Sequence, residues 1–152
     1  MKPINEMKLS FESKSTNESF ARSVAAAFLL QLDPTISEMA DIKTAVSEAV
    51  TNAIVHGYCD TIGTIFMKAQ IFENGKITIQ IRDKGVGIEN IPQAMEPLFT
   101  TAGGERAGLG FAVMQSFMDN IKVTSKPQKG TTVTLTKYII PRLASKDKSS
   151  EK

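Results

Sequence analysis

The sequence predicts an α+β fold in two layers, with helices on one face of a mixed, mainly antiparallel sheet. Three observations carry that expectation. Runs that alternate apolar and polar residues stand near both ends of the chain. Two longer stretches between them repeat their apolar residues at helical spacing. In the middle, Asn74-Gly75 joins two alternating runs as a hairpin turn.

The elements follow in order. Residues 7–13, MKLSFES, alternate Met7, Leu9 and Phe11 with polar residues, the pattern of a half-buried strand. Ser15 with Glu18 spells a capping box and opens a helix to about Leu32, with Phe20, Val24, Ala27, Phe28 and Leu32 as its apolar stripe. Asp33-Pro34 breaks it. Thr35 with Glu38 spells a second box, opening a long helix that ends near His56-Gly57, with Met39, Ile42, Val46, Ala49 and Ala53 facing the core. The hairpin strands are GTIFMKAQIFE and KITIQIRD. From Gly85 to Gly110, glycines, Pro92 and Pro97 predict a long irregular segment with one helical turn near Ile91–Met95. Such a segment is uncommon without a functional reason. A helix over Leu109–Met118 and strands near Ile121–Ser125 and Thr131–Ile140 complete the body.

The 152 residues suffice for one domain with one core, here assigned to residues 1–140. Hydrophobic residues make up 41% and charged residues 22%, ordinary values for a soluble globular chain. No apolar run reaches the roughly 18 residues of a membrane span, and the polar start MKPINEMKLS is unlike a signal peptide. The expected location is therefore the cytoplasm, with no membrane partner. Cys59 and His56 are the single cysteine and histidine, too few for a zinc site of those ligands.

The net charge of +2 belongs to residues 141–152, which carry four basic and two acidic side chains and read as a disordered basic tail. The body has fourteen of each sign. That balance predicts no basic stripe and no direct nucleic-acid partner.

Three features carry chemistry, and each alone has an ordinary structural explanation. Glu48 and Asn52 stand four residues apart on one face of the long helix, about 6 Å along its axis. They put a carboxylate and an amide at the edge of the core, or are two polar residues on a partly solvated face. Asp83-Lys84-Gly85-Val86-Gly87 follows a strand directly. Its carboxylate can accept a hydrogen bond from an exocyclic amine such as adenine's, and its glycines let backbone approach a planar ligand. A polar strand end with a glycine turn explains it equally well. Gly103-Gly104 and Gly108-Leu109-Gly110 precede and open a helix, where free amides can cradle phosphate. A flexible loop with a helix entry is the plainer explanation.

Taken together and in this order, the features resemble the GHKL superfamily, the Bergerat ATP-binding fold of bacterial histidine kinases, gyrase, heat-shock chaperones and mismatch-repair ATPases. Glu48 and Asn52 match its Asn-bearing helical box, Asp83-x-Gly85-x-Gly87 its first glycine box, and Gly108-x-Gly110 its second. Gly130-Thr131-Thr132 matches the terminal Gly-Thr element. Within the superfamily, the segments MKLSFES, NESFARSVAAAFLLQLDPT, VSEAVTNAIVHGY, LFTT and GLGFAVMQSFMD resemble the sporulation branch of the bacterial anti-sigma serine kinases. The likeness spans residues 5–140; the loop AGGERA is shorter and richer in glycine than the family's.

That resemblance implies roles. Asn52 would ligate the Mg²⁺ that bridges ATP phosphates, a cation content with few protein ligands. Glu48 would accept the proton of an attacking serine hydroxyl. Asp83 would select adenine, with Gly85 and Gly87 allowing close approach and Thr132 supporting the pocket. Thr100, Thr101, Gly108 and Gly110 would bond phosphate, and Arg106 would neutralise charge at the γ-phosphate. Arg22 would belong to a partner-binding surface. His56 is read as a structural helix-end residue, and Phe99 and Phe111 as packing residues.

The activity implied is that of an anti-sigma factor and ATP-dependent protein serine kinase. It would hold a sporulation sigma factor of the sigma F type, and with Mg-ATP phosphorylate a serine of its anti-anti-sigma factor, leaving ADP. It would act as a homodimer. The alternatives are a related switch kinase for a stress-response sigma factor, or a nucleotide-sensing module with little transfer.

Overall fold

The computed structural model describes residues 1–95 and 109–139. Thr100, Thr101, Arg106, Gly108 and the tail 141–152 lie outside the described residues. Five strands and four helices are described: β1 (Asn5–Glu12), α1 (Asn17–Leu29), α2 (Ile36–Asn52), β2 (Thr64–Ile71), β3 (Lys76–Asp83), α3 (Ile91–Ala94), α4 (Leu109–Phe117), β4 (Asn120–Lys126) and β5 (Gly130–Tyr138). The strands form one sheet in the order β1-β2-β3-β5-β4. A mainly antiparallel sheet was expected; every pairing described is antiparallel.

Alternation sorts the sheet into two faces. Ile65, Met67, Ala69 and Ile71 of β2, Ile77, Ile79 and Ile81 of β3, and Val133 and Leu135 of β5 are buried under the helices. α2 runs between α1 and α4 and inserts Ile42, Val46, Ala49 and Val50 into that layer. Burying each large aliphatic side chain contributes about 1.5–3 kcal/mol, which holds the helices to the sheet. The other face, which no described helix covers, carries a basic stripe, Lys8, Lys68, Arg82, Lys84 and Lys126, which the even charge balance of the body concealed. Arg82 and Lys84 lie over the Phe66 ring, 4.8 and 5.2 Å from its centroid.

The capping box at Thr35 forms in both directions. Thr35 Oγ1 accepts from the Glu38 amide at 2.9 Å, and Glu38 Oε1 accepts from the Thr35 amide at 2.8 Å. The box expected at Ser15 does not form. α1 starts after Thr16 with no side-chain cap, because the Glu18 carboxylate turns instead to Ser47 and Arg22. Of the stripe expected for this helix, Val24, Phe28 and Leu32 pack against the core while only partly buried; its fully buried line is Ala21, Ala25 and Leu29, and Phe20 is 46% exposed and meets Phe11 edge-on. Ala27 is exposed. Small alanines let α1 lie close, and the larger residues take the flanks. α1 gives way at Leu30 to a tight turn, Leu30–Leu32, closed by Asp33 in the left-handed region at φ 51°.

At its other end α2 changes pitch. Ala53–Gly57 form a wider π turn, closed by the Tyr58 amide donating to the Ala53 carbonyl at 3.0 Å. Single π turns often mark functional positions. This one begins directly after Asn52. On the inner side, Lys137 reaches the Phe117 carbonyl at 2.8 Å and Asp41 at 3.7 Å, tying β5 to α2 and to the end of α4.

Candidate nucleotide site

β3 delivers Asp83 at its last residue, on the inner face and 6% exposed. Gly85 donates its amide to Asp83 Oδ1 at 2.8 Å, and the Thr131 amide also bonds the carboxylate. Burial nevertheless dominates and raises the pKa of Asp83 above its ordinary 3.8; the two amide bonds pull it down by less. Gly57 of the π turn backs onto this carboxylate so closely that a Cβ there would fall 2.8 Å from its carbon. The π turn and Asp83 therefore pack directly.

α2 delivers Asn52 on the face that meets α4. Its amide nitrogen Nδ2 is buried and has no hydrogen-bond partner among the described residues. Gly110 makes room for it: a Cβ on Gly110 would lie 2.9 Å from Nδ2. A buried, unpaired amide is costly and calls for a ligand. Turning the carboxamide about its axis offers oxygen to the same point, the donor a hard cation takes.

Between Asn52 and Asp83 lies a cavity of about 300 Å³. Ala49, Ala53, Ile81, Ile88, Phe111 and Val133 give it apolar walls, and His56, Asn90, Gln93 and Thr131 add polar atoms. An apolar slot with few convergent polar groups is the usual form of a small-molecule site. A planar heterocycle would meet aliphatic walls on its faces and a carboxylate acceptor at its edge. Among the described residues no cluster of three or more His, Cys, Asp or Glu side chains forms a metal site. A lone amide suits Mg²⁺, which is held chiefly by water and phosphate oxygen.

The expected residues separate into groups. Asn52, Asp83 and Gly87 line the cavity together. Glu48 is half-buried one turn before Asn52 and is not part of the lining. Gly85 stands behind Asp83, where a Cβ would meet the Gly57 carbonyl at 1.9 Å, so its role is close packing. Gly87, at φ +78°, sits against the Lys126 carbonyl on the turn between β4 and β5. Thr132 is on the wrong face: β5 alternates, so Thr131, opposite Asp83, lines the cavity and Thr132, opposite Arg82, points to the uncovered side. Thr131 Oγ1 lies 2.9 Å from Ser125 Oγ, which accepts from the Ile88 amide at 2.7 Å and so fixes one wall. Arg22 is remote from the cavity, bonded to Glu18 at 3.2 Å and to Ser47 Oγ at 3.3 Å.

Sequence reading missed His56, Ile88, Asn90 and Gln93 as lining residues and took Phe111 for packing alone. Asn90 had left a signal, as the cap that accepts from the Gln93 amide at 3.0 Å and opens α3 over the cavity mouth.

The fold and this site define a nucleotide-pocket domain: helices over an antiparallel sheet, with a buried carboxylate and an orphaned amide facing one slot. The chain belongs to the histidine kinase-like ATPase domain family, whose family model matches residues 11–137. It is 64% identical over 140 residues to the anti-sigma F factor of Thermoanaerobacter sp. (strain X514), covering 91% of this chain and 97% of that one. The anti-sigma F factor of Geobacillus thermodenitrificans is 54% identical, over 89% of this chain and 93% of its own. Among solved structures, the RsbU and RsbW domains of a Mycobacterium tuberculosis protein share the fold at a TM-score of 0.66 and 20% identity, covering 90% of this chain and 33% of that one.

Proposed function

We propose that this chain is an anti-sigma factor kinase. It binds Mg-ATP in the cavity between α2 and β3, phosphorylates a serine of an anti-anti-sigma protein, and holds a sporulation sigma factor of the sigma F type. One observation carries the reading: the orphaned Asn52 amide and the buried Asp83 carboxylate face the same apolar slot. The relatives named anti-sigma F factor, matched over nearly their whole length, support the choice of partners.

The division of labour follows from the chemistry of each side chain. Asp83 accepts from an exocyclic amine, and its burial makes a mismatched base costly. Asn52 supplies one oxygen to Mg²⁺, which when bound neutralises phosphate charge. Glu48, one turn away on the same helix, takes the proton of the attacking serine hydroxyl as its oxygen bonds to the γ-phosphorus. ADP departs as the bond to the bridging oxygen breaks. Thr100, Thr101, Gly108 and Gly110 contact phosphate and Arg106 offsets its charge, while Arg22 on α1 meets a protein partner. The reading assigns the kinase domain to residues 1–140 and a basic tail to 141–152, and places a homodimer in the cytoplasm.

The test is transfer of labelled γ-phosphate from Mg-ATP to a serine of an anti-anti-sigma protein. Glu48→Gln should reduce transfer about 10²–10⁴-fold while ATP binding stays near the wild-type value. Full transfer by that variant rules out Glu48 as the base. Tight ATP binding by the wild type with no phosphorylated partner would instead identify a nucleotide-sensing module.

A further inference from the structure

We infer that Tyr58 is a positioning residue for base selection, its hydroxyl acting as a wedge in the sheet that sets where Asp83 leaves β3. The inference rests on the proposed reading of Asp83 as the adenine-selecting group. β2 and β3 pair with Phe66 opposite Arg82. Two residues further along the same register, Thr64 would stand opposite Lys84, and the Lys84 amide would donate to the Thr64 carbonyl. That bond is replaced. The Lys84 amide donates to Tyr58 Oη at 2.7 Å, and Tyr58 Oη donates to the Thr64 carbonyl at 2.7 Å. The phenol therefore stands inside the ladder at the point where the two strands part.

The consequence falls on the adjacent residue. With Lys84 held off β2, the chain bends after Asp83 so that the Gly85 amide reaches the Asp83 carboxylate at 2.8 Å and the Val86 amide reaches the Gly57 carbonyl at 3.0 Å. Both anchors on this strand end, the Gly57 carbonyl and the Tyr58 hydroxyl, come from the π turn and the residue that closes it. The segment that follows Asn52 thus also fixes the orientation of Asp83. The ring is seated over Gly63, where a Cβ would fall 2.3 Å from it. That contact allows the wedge to be displaced without removing the hydroxyl.

Tyr58→Phe leaves Thr64 and Lys84 to close on each other and draws Asp83 towards β2. Gly63→Ala pushes the ring aside from below. Binding of ATP and of GTP, each with Mg²⁺, is measured by calorimetry for the wild type and both variants, with thermal melting to establish folding. Guanine presents a carbonyl oxygen where adenine presents an amine, so a correctly placed carboxylate rejects it. The wild type should prefer ATP. Tyr58→Phe should weaken ATP binding about tenfold with little change for GTP, narrowing the preference; Gly63→Ala should narrow it in the same direction. General loosening of the pocket would weaken both nucleotides together. An unchanged ATP-to-GTP ratio in the folded variants overturns the wedge, and if only one variant folds, that variant decides. A wild type with no preference for ATP overturns the adenine reading of Asp83 itself, and the inference with it.

Discussion

Asp83 is a carboxyl group kept where its charge is disfavoured. Its folded pKa is raised, first by desolvation, while the amides of Gly85 and Thr131 offset only part of the shift. The sign of the linkage follows. Below its ordinary 3.8 the group is protonated in both the folded and unfolded chain; as pH rises, the unfolded chain loses the proton first, and stability falls until the folded pKa is passed. Asp83→Asn cannot ionise. Its melting temperature relative to wild type should therefore be higher at neutral pH, and this advantage should shrink as pH is lowered towards about 4. ATP affinity should fall in the same variant. Thermal melting across that range checks the sign, and a pH-independent difference contradicts it. The carboxylate was legible in the sequence because an aspartate followed by two spaced glycines ended an alternating strand. Its neighbour was not. Gly130-Thr131-Thr132 offers two threonines in a row, and only the pairing of Asp83 with Thr131 decides which one faces the cavity.

At the scale of elements, α2 positions the site, so its start should matter to stability. Thr35→Ala removes one half of a formed capping box and should cost about 1 kcal/mol, read by chemical denaturation. Ser15→Ala, at the box that does not form, should stay within about 0.5 kcal/mol of wild type. The reverse order would contradict the assignment of the caps. Both boxes have the same pattern in sequence. They differ in what lies across from them: Ser47 on α2 donates to Glu18 at 2.7 Å, and Arg22 pairs with the same carboxylate. A tertiary partner thus competes with the local cap, and no reading of α1 alone can see it. The same limit explains why the fully buried line of α1 is Ala21, Ala25 and Leu29, with Val24 and Phe28 of the expected stripe packing at its flank. The hairpin at Asn74-Gly75 was legible because turn chemistry and alternation agree there, with Gly75 at φ 84°. The π turn was not, since Ala53–Gly57 continues the helical apolar pattern and only the backbone shows its wider pitch.

Across the whole molecule, the antiparallel sheet supplies a rigid floor, α2 crosses it, and the two groups that define the site come from those two layers. Asp83 ends a central strand and Asn52 ends the long helix, so the cavity depends on the packing that joins them. Nucleotide binding should therefore stabilise the fold, by about 2.7 kcal/mol at a concentration a hundred times the Kd. The most direct measurement of the central claim is ATP binding by calorimetry with and without Mg²⁺, on the wild type and on Asn52→Ala. Mg²⁺ should strengthen ATP binding to the wild type, and Asn52→Ala should stay folded but lose this gain. An Asn52→Ala protein that keeps the full Mg²⁺-dependent gain would contradict that claim.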